Sequence, residues 1–138
     1  MYAWLVKRRI RRNLEQLRAG DPEPLLRSYA DDVAFRFPGD HSWAADSRGK
    51  SQLVPWLERF IGVGLELHPE EIVVEGPPWN TRVCVRFTDH LVRGGVTVYE
   101  NRGVIWGAMS WGKVTRYEVY EDTQKVAAFD RQLQAGSF

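Results

Sequence analysis

The chain has 138 residues, 43% hydrophobic and 27% charged, which suits one domain spanning 1–138 with its own core and leaves no long segment to read as disordered. Its formal charge of +1 gives no electrostatic case for a nucleic-acid or anionic-membrane partner, and no apolar run of about 18 residues exists to cross a bilayer. The single cysteine, Cys84, has no internal disulfide partner and no Cys-x-x-Cys spacing is present, so a reducing cytoplasm is the expected location.

In chain order, Leu5, Ile10, Leu14 and Leu17 recur at three- to five-residue spacing between Met1 and Arg18, as in an amphipathic helix docked on something apolar. The same stretch lacks the apolar core and small-residue cleavage site of a signal peptide. Lys7, Arg8, Arg9, Arg11 and Arg12 crowd its remaining surface. That basic run reads either as a phosphate or lipid contact or as a solvated helix face, and the balanced total charge favours the second. Gly20 ends this helix; Asp21 and Pro22 open a short second one that turns Leu25, Leu26 and Tyr29 inward. Val33, Phe35 and Phe37 then alternate with Ala34 and Arg36, a strand stopped by Pro38 and Gly39. Asp40 to Gly49 is a polar loop whose His41 and Trp43 either cover a pocket or seal the core. Leu53, Trp56, Leu57, Phe60 and Ile61 have helical spacing before Gly62 and Gly64, and Pro55 fits only if that helix begins near Ser51.

The remainder reads as sheet. Leu65–Leu67 and Ile72–Glu75 form one strand region interrupted by Pro69, and GPPWN at 76–80 is a turn. Between Thr81 and Leu91, Val83, Val85 and Phe87 alternate with Arg82, Cys84, Arg86, Thr88 and His90. Val96 to Met109 is a long strand in which Gly103 and Gly107 mark bulges, bends or close approach. From Trp111 to Asp122 the chain alternates again, with both faces mixed: Val114, Arg116, Glu118, Tyr120 and Asp122 on one, Thr115, Tyr117, Val119 and Glu121 on the other. Asp122 or Thr123 caps a last helix carrying Val126, Ala127, Phe129 and Leu133. Helices followed by a run of antiparallel strands predict an α+β fold, a curved antiparallel sheet covered on one face by the N-terminal helices. Such a sheet forms a cone, and a small ligand would enter at its open end.

YADDVAFRFPG (29–39), RGKSQLVPWLERF (48–60), GPPWNTRVCVRF (76–87), YENRGV (99–104) and WGKVTRYEVYEDTQKV (111–126) together resemble the nuclear-transport-factor-2-like superfamily, in its SnoaL-like and ketosteroid-isomerase-like branch. The resemblance implies a scaffold shared by isomerases, polyketide cyclases, epoxide hydrolases, dehydratases and non-catalytic binders. It nominates Asp122, at the close of the last strand, as a base or base-orienting group; ordinary capping of the final helix is the competing role. The epoxide-hydrolase pattern Arg-x-Asp is not met at Arg86, where the third residue is Thr88, and no trio matches the ketosteroid-isomerase aspartate, tyrosine and protonated aspartic acid. The resemblance also implies a homodimer through the outer sheet face, including Tyr117 and Val119.

Beside Asp122, the candidate catalytic residues are His90, Arg86 and Tyr120, and the candidate ligand contacts are Trp43, Tyr99, Asn101, Trp106 and Glu118. His90 shares a face with Arg86 and Thr88, as a base near neutral pH would require, or lies exposed at a strand end. Tyr99 and Asn101 share a face and could orient a carbonyl, or could fix the strand as a buried pair. Trp106 takes the opposite parity unless a bulge at Gly103 shifts it. No metal spacing, phosphate loop or nucleophile motif occurs, so no metal and no cofactor are expected. These residues predict a pocket for a small apolar, oxygenated molecule, worked on by acid–base isomerisation, cyclisation or hydrolysis/dehydration. The alternative is a non-catalytic ligand-binding or dimerisation module.

Overall fold

Period-two alternation of buried and exposed side chains builds the sheet against which everything else packs. In the computed structural model, which describes residues 1–138, the elements run α1 (Tyr2–Arg18), α2 (Glu23–Arg27), β1 (Tyr29–Phe37), β2 (Ala45–Arg48), α3 (Lys50–Val63), β3 (Glu66–Glu75), β4 (Thr81–Arg93), β5 (Val96–Ser110), β6 (Lys113–Glu121) and α4 (Thr123–Gln134). The six strands form one sheet in the order β2-β1-β6-β5-β4-β3. Neighbours are antiparallel except β1 and β6, which run parallel and join the first part of the chain to the last strand.

The inner face collects Val33, Phe35 and Phe37 from β1, Val83, Val85 and Phe87 from β4, Ile105 and Met109 from β5, and Val119 from β6. α1 lies across β3 and α3 across β1, so their apolar stripes close the concave side into a single core cluster. Burial of this kind supplies most of the folding free energy, about 1.5–3 kcal/mol for each large apolar side chain. The α+β architecture expected from the sequence is present, with a curved sheet, N-terminal helices over one face and a short C-terminal helix.

Local departures have local causes. Tyr29 begins β1 instead of ending the second helix, because its backbone already pairs with Val114 of the parallel β6. The polar loop contains β2, held by backbone pairing to β1 from Ala34 to Phe37. Pro69 does not break β3; the ladder shifts register between Pro69 and Glu71 and continues. Gly103 sits in unbroken register, and the irregularities of β5 fall instead opposite Leu91/Val92 and at Ala108/Met109. Parity along β5 therefore holds, and Trp106 faces away from Tyr99 and Asn101.

Candidate functional site

The inner stripe of β4 reads Thr81, Val83, Val85, Phe87, Asp89 and Leu91, every one buried, so a carboxyl occupies a position where the alternation calls for an apolar group. Two strands away, β6 turns Tyr117, Val119 and Glu121 into the same cavity. β5 runs between them, pairing Asp89 with Asn101 and Glu121 with Gly103. Gly103 clears the ground: a Cβ there would lie 2.3 Å from the Tyr120 carbonyl oxygen, 2.8 Å from Glu121 Cγ and 3.0 Å from Phe87 Cζ. Across this gap the Asp89 and Glu121 carboxyls lie close enough to shift each other's proton affinity.

Two ionised carboxylates cannot persist side by side in an apolar wall. Burial, then the neighbouring Asp89 carboxyl, pushes Glu121 up to about 10. Asp89 is also raised by burial, although its neighbours Glu121 and His90 oppose that rise. Glu121 is therefore the member of the pair that keeps its proton at neutral pH. Asp89 Oδ1 has no partner in the protein, and neither does the indole N–H of Trp43 in the same cavity wall. An unmatched acceptor and an unmatched donor thus line one apolar space.

Tyr99 reaches this space from β5, stacked on Phe129 of α4 with ring centroids 4.0 Å apart. Asn101 Nδ2 donates to the Tyr99 hydroxyl (2.9 Å) and to the Asp122 carbonyl (3.1 Å), while its Oδ1 accepts from the Arg102 N–H (2.8 Å). Asn101 therefore fixes the tyrosine, and the Tyr99 proton is left free to donate. Burial raises the Tyr99 hydroxyl well above its ordinary value, so it acts as a donor and not as a phenolate. Tyr117, pushed up to about 12 by burial, separates this cavity from a second apolar one beneath α1.

The mouth is latched. Asp130 of α4, buried, accepts from the Ser42 N–H and the Ser42 hydroxyl, both at 2.7 Å. Arg59 of α3 donates to the Ser42 carbonyl (3.2 Å) and hydroxyl (2.8 Å), and its guanidinium lies 3.8 Å over the Trp43 ring. Trp56 holds the Trp43 carbonyl through its indole N–H at 2.9 Å. The loop between β1 and β2 is thereby tied to α3 and α4, with Trp43 pressed into the cavity. About 30 Å³ of free space remains, room for roughly two waters and far below the ~300 Å³ of an ordinary ligand pocket.

Of the residues singled out in the sequence, Trp43, Tyr99 and Asn101 come together at this site. The others do not. Asp122 is the N-cap of α4, its carboxylate accepting from Gln124 N–H (3.1 Å) and Lys125 N–H (3.3 Å), because β6 ends one residue earlier at Glu121. His90 and Arg86 point to the outer face, where they meet Glu100 (3.6 Å) and Glu71 (3.9 Å). Tyr120 donates to Glu118 on that same outer face, with Arg116 beside them, and Trp106 stands opposite Glu118 in register. The two faces of β6 are thus the reverse of the expected assignment: Tyr117 and Val119 line the cone and do not belong to the outer surface. Asp89 and Glu121, absent from the expected set, carry the acid–base potential. Their trace in the sequence is parity alone, Asp89 continuing the Val83-Val85-Phe87 stripe and Glu121 continuing Tyr117-Val119. No group of three or more His, Cys, Asp or Glu side chains is arranged to hold a metal ion.

Residues 10–117 match the family model described as a SnoaL-like domain. No curated protein sequence matches the chain. Among solved structures it is similar to Bal32a from a soil-derived mobile gene cassette, with a TM-score of 0.76 and 18% identity over 95% of this chain and 100% of that one. It is also similar to TerC, co-crystallised with polyporic acid, with a TM-score of 0.71 and 25% identity over 92% and 96% of the two chains. A "putative polyketide cyclase" from Xanthomonas campestris gives a TM-score of 0.66 and 22% identity over 88% and 93%. At 18% and 22% identity the likeness is one of fold.

Proposed function

The chain belongs to the SnoaL-like domain family, and from that premise we propose that it takes a small, mostly apolar, oxygenated molecule into the aromatic cone and transforms it by cofactor-independent acid–base chemistry. The observation that carries the reading is the pair of carboxyls, Asp89 and Glu121, set together in the wall of one apolar cavity, with burial pushing Glu121 up to about 10. On a substrate with a proton on the carbon next to a carbonyl, Asp89 removes that proton. The electron pair moves onto the carbonyl oxygen, which Glu121 or Tyr99 protonates as charge develops. The resulting enol can be reprotonated elsewhere, an isomerisation, or can attack a second carbonyl, a cyclisation. The free Trp43 N–H and the free Asp89 Oδ1 suit a molecule bearing both an acceptor and a donor oxygen. Likeness to TerC with polyporic acid and to the "putative polyketide cyclase" supports the same substrate class.

The second reading is a non-catalytic ligand-binding or dimerisation module of the same fold, and the small volume left in the cavity, about 30 Å³, favours its dimerisation form. Thermal-shift screening of polyketide, quinone (polyporic acid included), terpenoid and steroid ligands, followed by turnover of each binder, separates the two. The catalytic reading expects Asp89→Asn and Glu121→Gln to keep binding within a few fold while turnover falls by about 10²–10⁴. Binders that are never altered by the wild-type protein support the module.

The proposal includes a homodimer through the outer sheet face. Val73, Val104, Trp106 and Tyr120 are exposed there among Arg82, Arg86 and Arg116, an apolar centre with a charged rim.

A further inference from the structure

The total charge conceals a segregation. Residues 1–18 hold six Lys and Arg against Glu15 alone, whereas the rest of the chain holds 13 against 17 acids, so α1 is a cationic pole on an otherwise anionic protein. Val6, Leu14 and Leu17 are buried, which turns Trp4, Leu5, Arg8, Arg11 and Arg12 outward. None of Lys7, Arg8, Arg11 and Arg12 forms an ion pair with a carboxylate. Arg8, Arg9, Arg12 and, from α2, Arg27 line one open cleft.

Aromatic side chains gather at the same end. The Tyr2 hydroxyl bonds Thr81 (2.6 Å) and Arg9 donates to the Gly112 carbonyl (2.8 Å), which brings the first turns of α1 beside the β3–β4 and β5–β6 turns. The Trp111 N–H donates to the Pro78 carbonyl (2.7 Å), and the Trp79 and Trp111 rings lie 5.8 Å apart. Both are exposed, 59% and 71%, as are Trp4 at 58% and Leu5 at 52%. Trp111 also holds φ at +50°, a conformation that suits glycine or asparagine and strains a bulky residue, for no burial within the chain.

We propose that this pole docks on an anionic lipid surface. The arginines engage phosphate headgroups while Trp4, Leu5, Trp79 and Trp111 settle at the headgroup level, where an amphipathic ring is favoured. The total charge of +1 gives no case for an anionic membrane; its distribution does. Both neutral lipid and nucleic acid lack half of the match, the first offering no charge for the arginines and the second no apolar layer for Trp4 and Leu5.

Co-sedimentation with vesicles of phosphatidylcholine, alone or mixed equally with phosphatidylglycerol, tests this on the full chain. Expected are partition into the mixed vesicles only, loss of partition at high salt, and a blue-shifted tryptophan emission on binding. Arg8→Gln, Arg11→Gln and Arg12→Gln together should weaken partition by roughly 100-fold, at about fivefold per cation. Trp79→Ser with Trp111→Ser should abolish most of the blue shift. All five side chains are exposed, and thermal unfolding of each variant checks that the fold is kept. Absence of partition at low salt, equal partition into neutral vesicles, or variants that bind like wild type would overturn the proposal. So would tight binding to duplex DNA with no vesicle binding, which would make the pole a nucleic-acid surface.

Discussion

Raising the pH from about 4.5 towards about 10 asks the folded protein to hold a proton on Glu121 that the unfolded chain has released. A raised folded-state value means stability that is full below the unfolded value and is lost as pH rises through that window. Glu121→Gln keeps a neutral side chain at every pH, so its Tm should match wild type near pH 4 and exceed it by several degrees at pH 8. Parallel pH profiles for the two proteins would show that Glu121 is not the proton-holding member. Asp122 belongs to another category of carboxylate. Asp122→Ala removes two capping hydrogen bonds from α4 and should lower stability by about 1 kcal/mol in denaturant titrations, with turnover unchanged. Asp122 stands out in the sequence because it ends an alternating run; Asp89 and Glu121 escape notice because a carboxylate inside an apolar stripe reads as polar decoration until the stripe is known to face a cavity.

At the scale of elements, β5 works as a spacer whose glycine decides what its neighbours can do. Gly103→Ala places a methyl group against the Tyr120 backbone carbonyl and the Glu121 side chain, and the backbone cannot yield cheaply. A loss of about 1–3 kcal/mol is expected, together with the loss of the pH-dependent Tm that Glu121 confers. The loop between β1 and β2 works as a latch. Burial alone would raise the Asp130 carboxyl, but the Ser42 hydroxyl and N–H, Arg59 and His41 outweigh it and hold it below the usual carboxylate value. A depressed value gives stability that is present above the unfolded value and lost as pH falls through the folded one, so the latch loosens in acid. Asp130→Ala should open the mouth at any pH, seen as faster ligand association and increased binding of a hydrophobic dye, with stability reduced by roughly 1–3 kcal/mol. An unchanged association rate would mean that entry lies elsewhere. His41 and Trp43 marked this loop in the sequence; its partners Arg59 and Asp130 were invisible there, since they sit 17 and 88 residues from Ser42.

For the molecule as a whole, the outer sheet face and the α1 pole are two separate surfaces, the first on the convex side and the second on the helix that covers the concave side. If two copies pair through the outer face, Trp106→Glu should convert a dimer into a monomer in sedimentation at micromolar concentration, because it buries a charge at the centre of the patch. A wild-type monomer at that concentration contradicts the pairing. Neither variant of the α1 pole should alter this oligomeric state.

The sequence by itself determined the fold class and most of the elements, β2 excepted. Apolar periodicities of about 3.6 and 2 are local and are imposed by backbone geometry, so α1, α3, β4 and β5 could be read directly, as could the shared face of Tyr99 and Asn101, though not which side of the sheet that face looks to. Tertiary structure decided which face of β6 looks into the cone, because both faces mix polar and apolar groups and only the parallel pairing with β1 and the register with β5 orient it. It also decided that Asp89 and Glu121 meet across Gly103. The raised proton affinity of Glu121 depends on two carboxyls brought together from separate strands in a dry wall, and no pattern within either strand encodes that encounter.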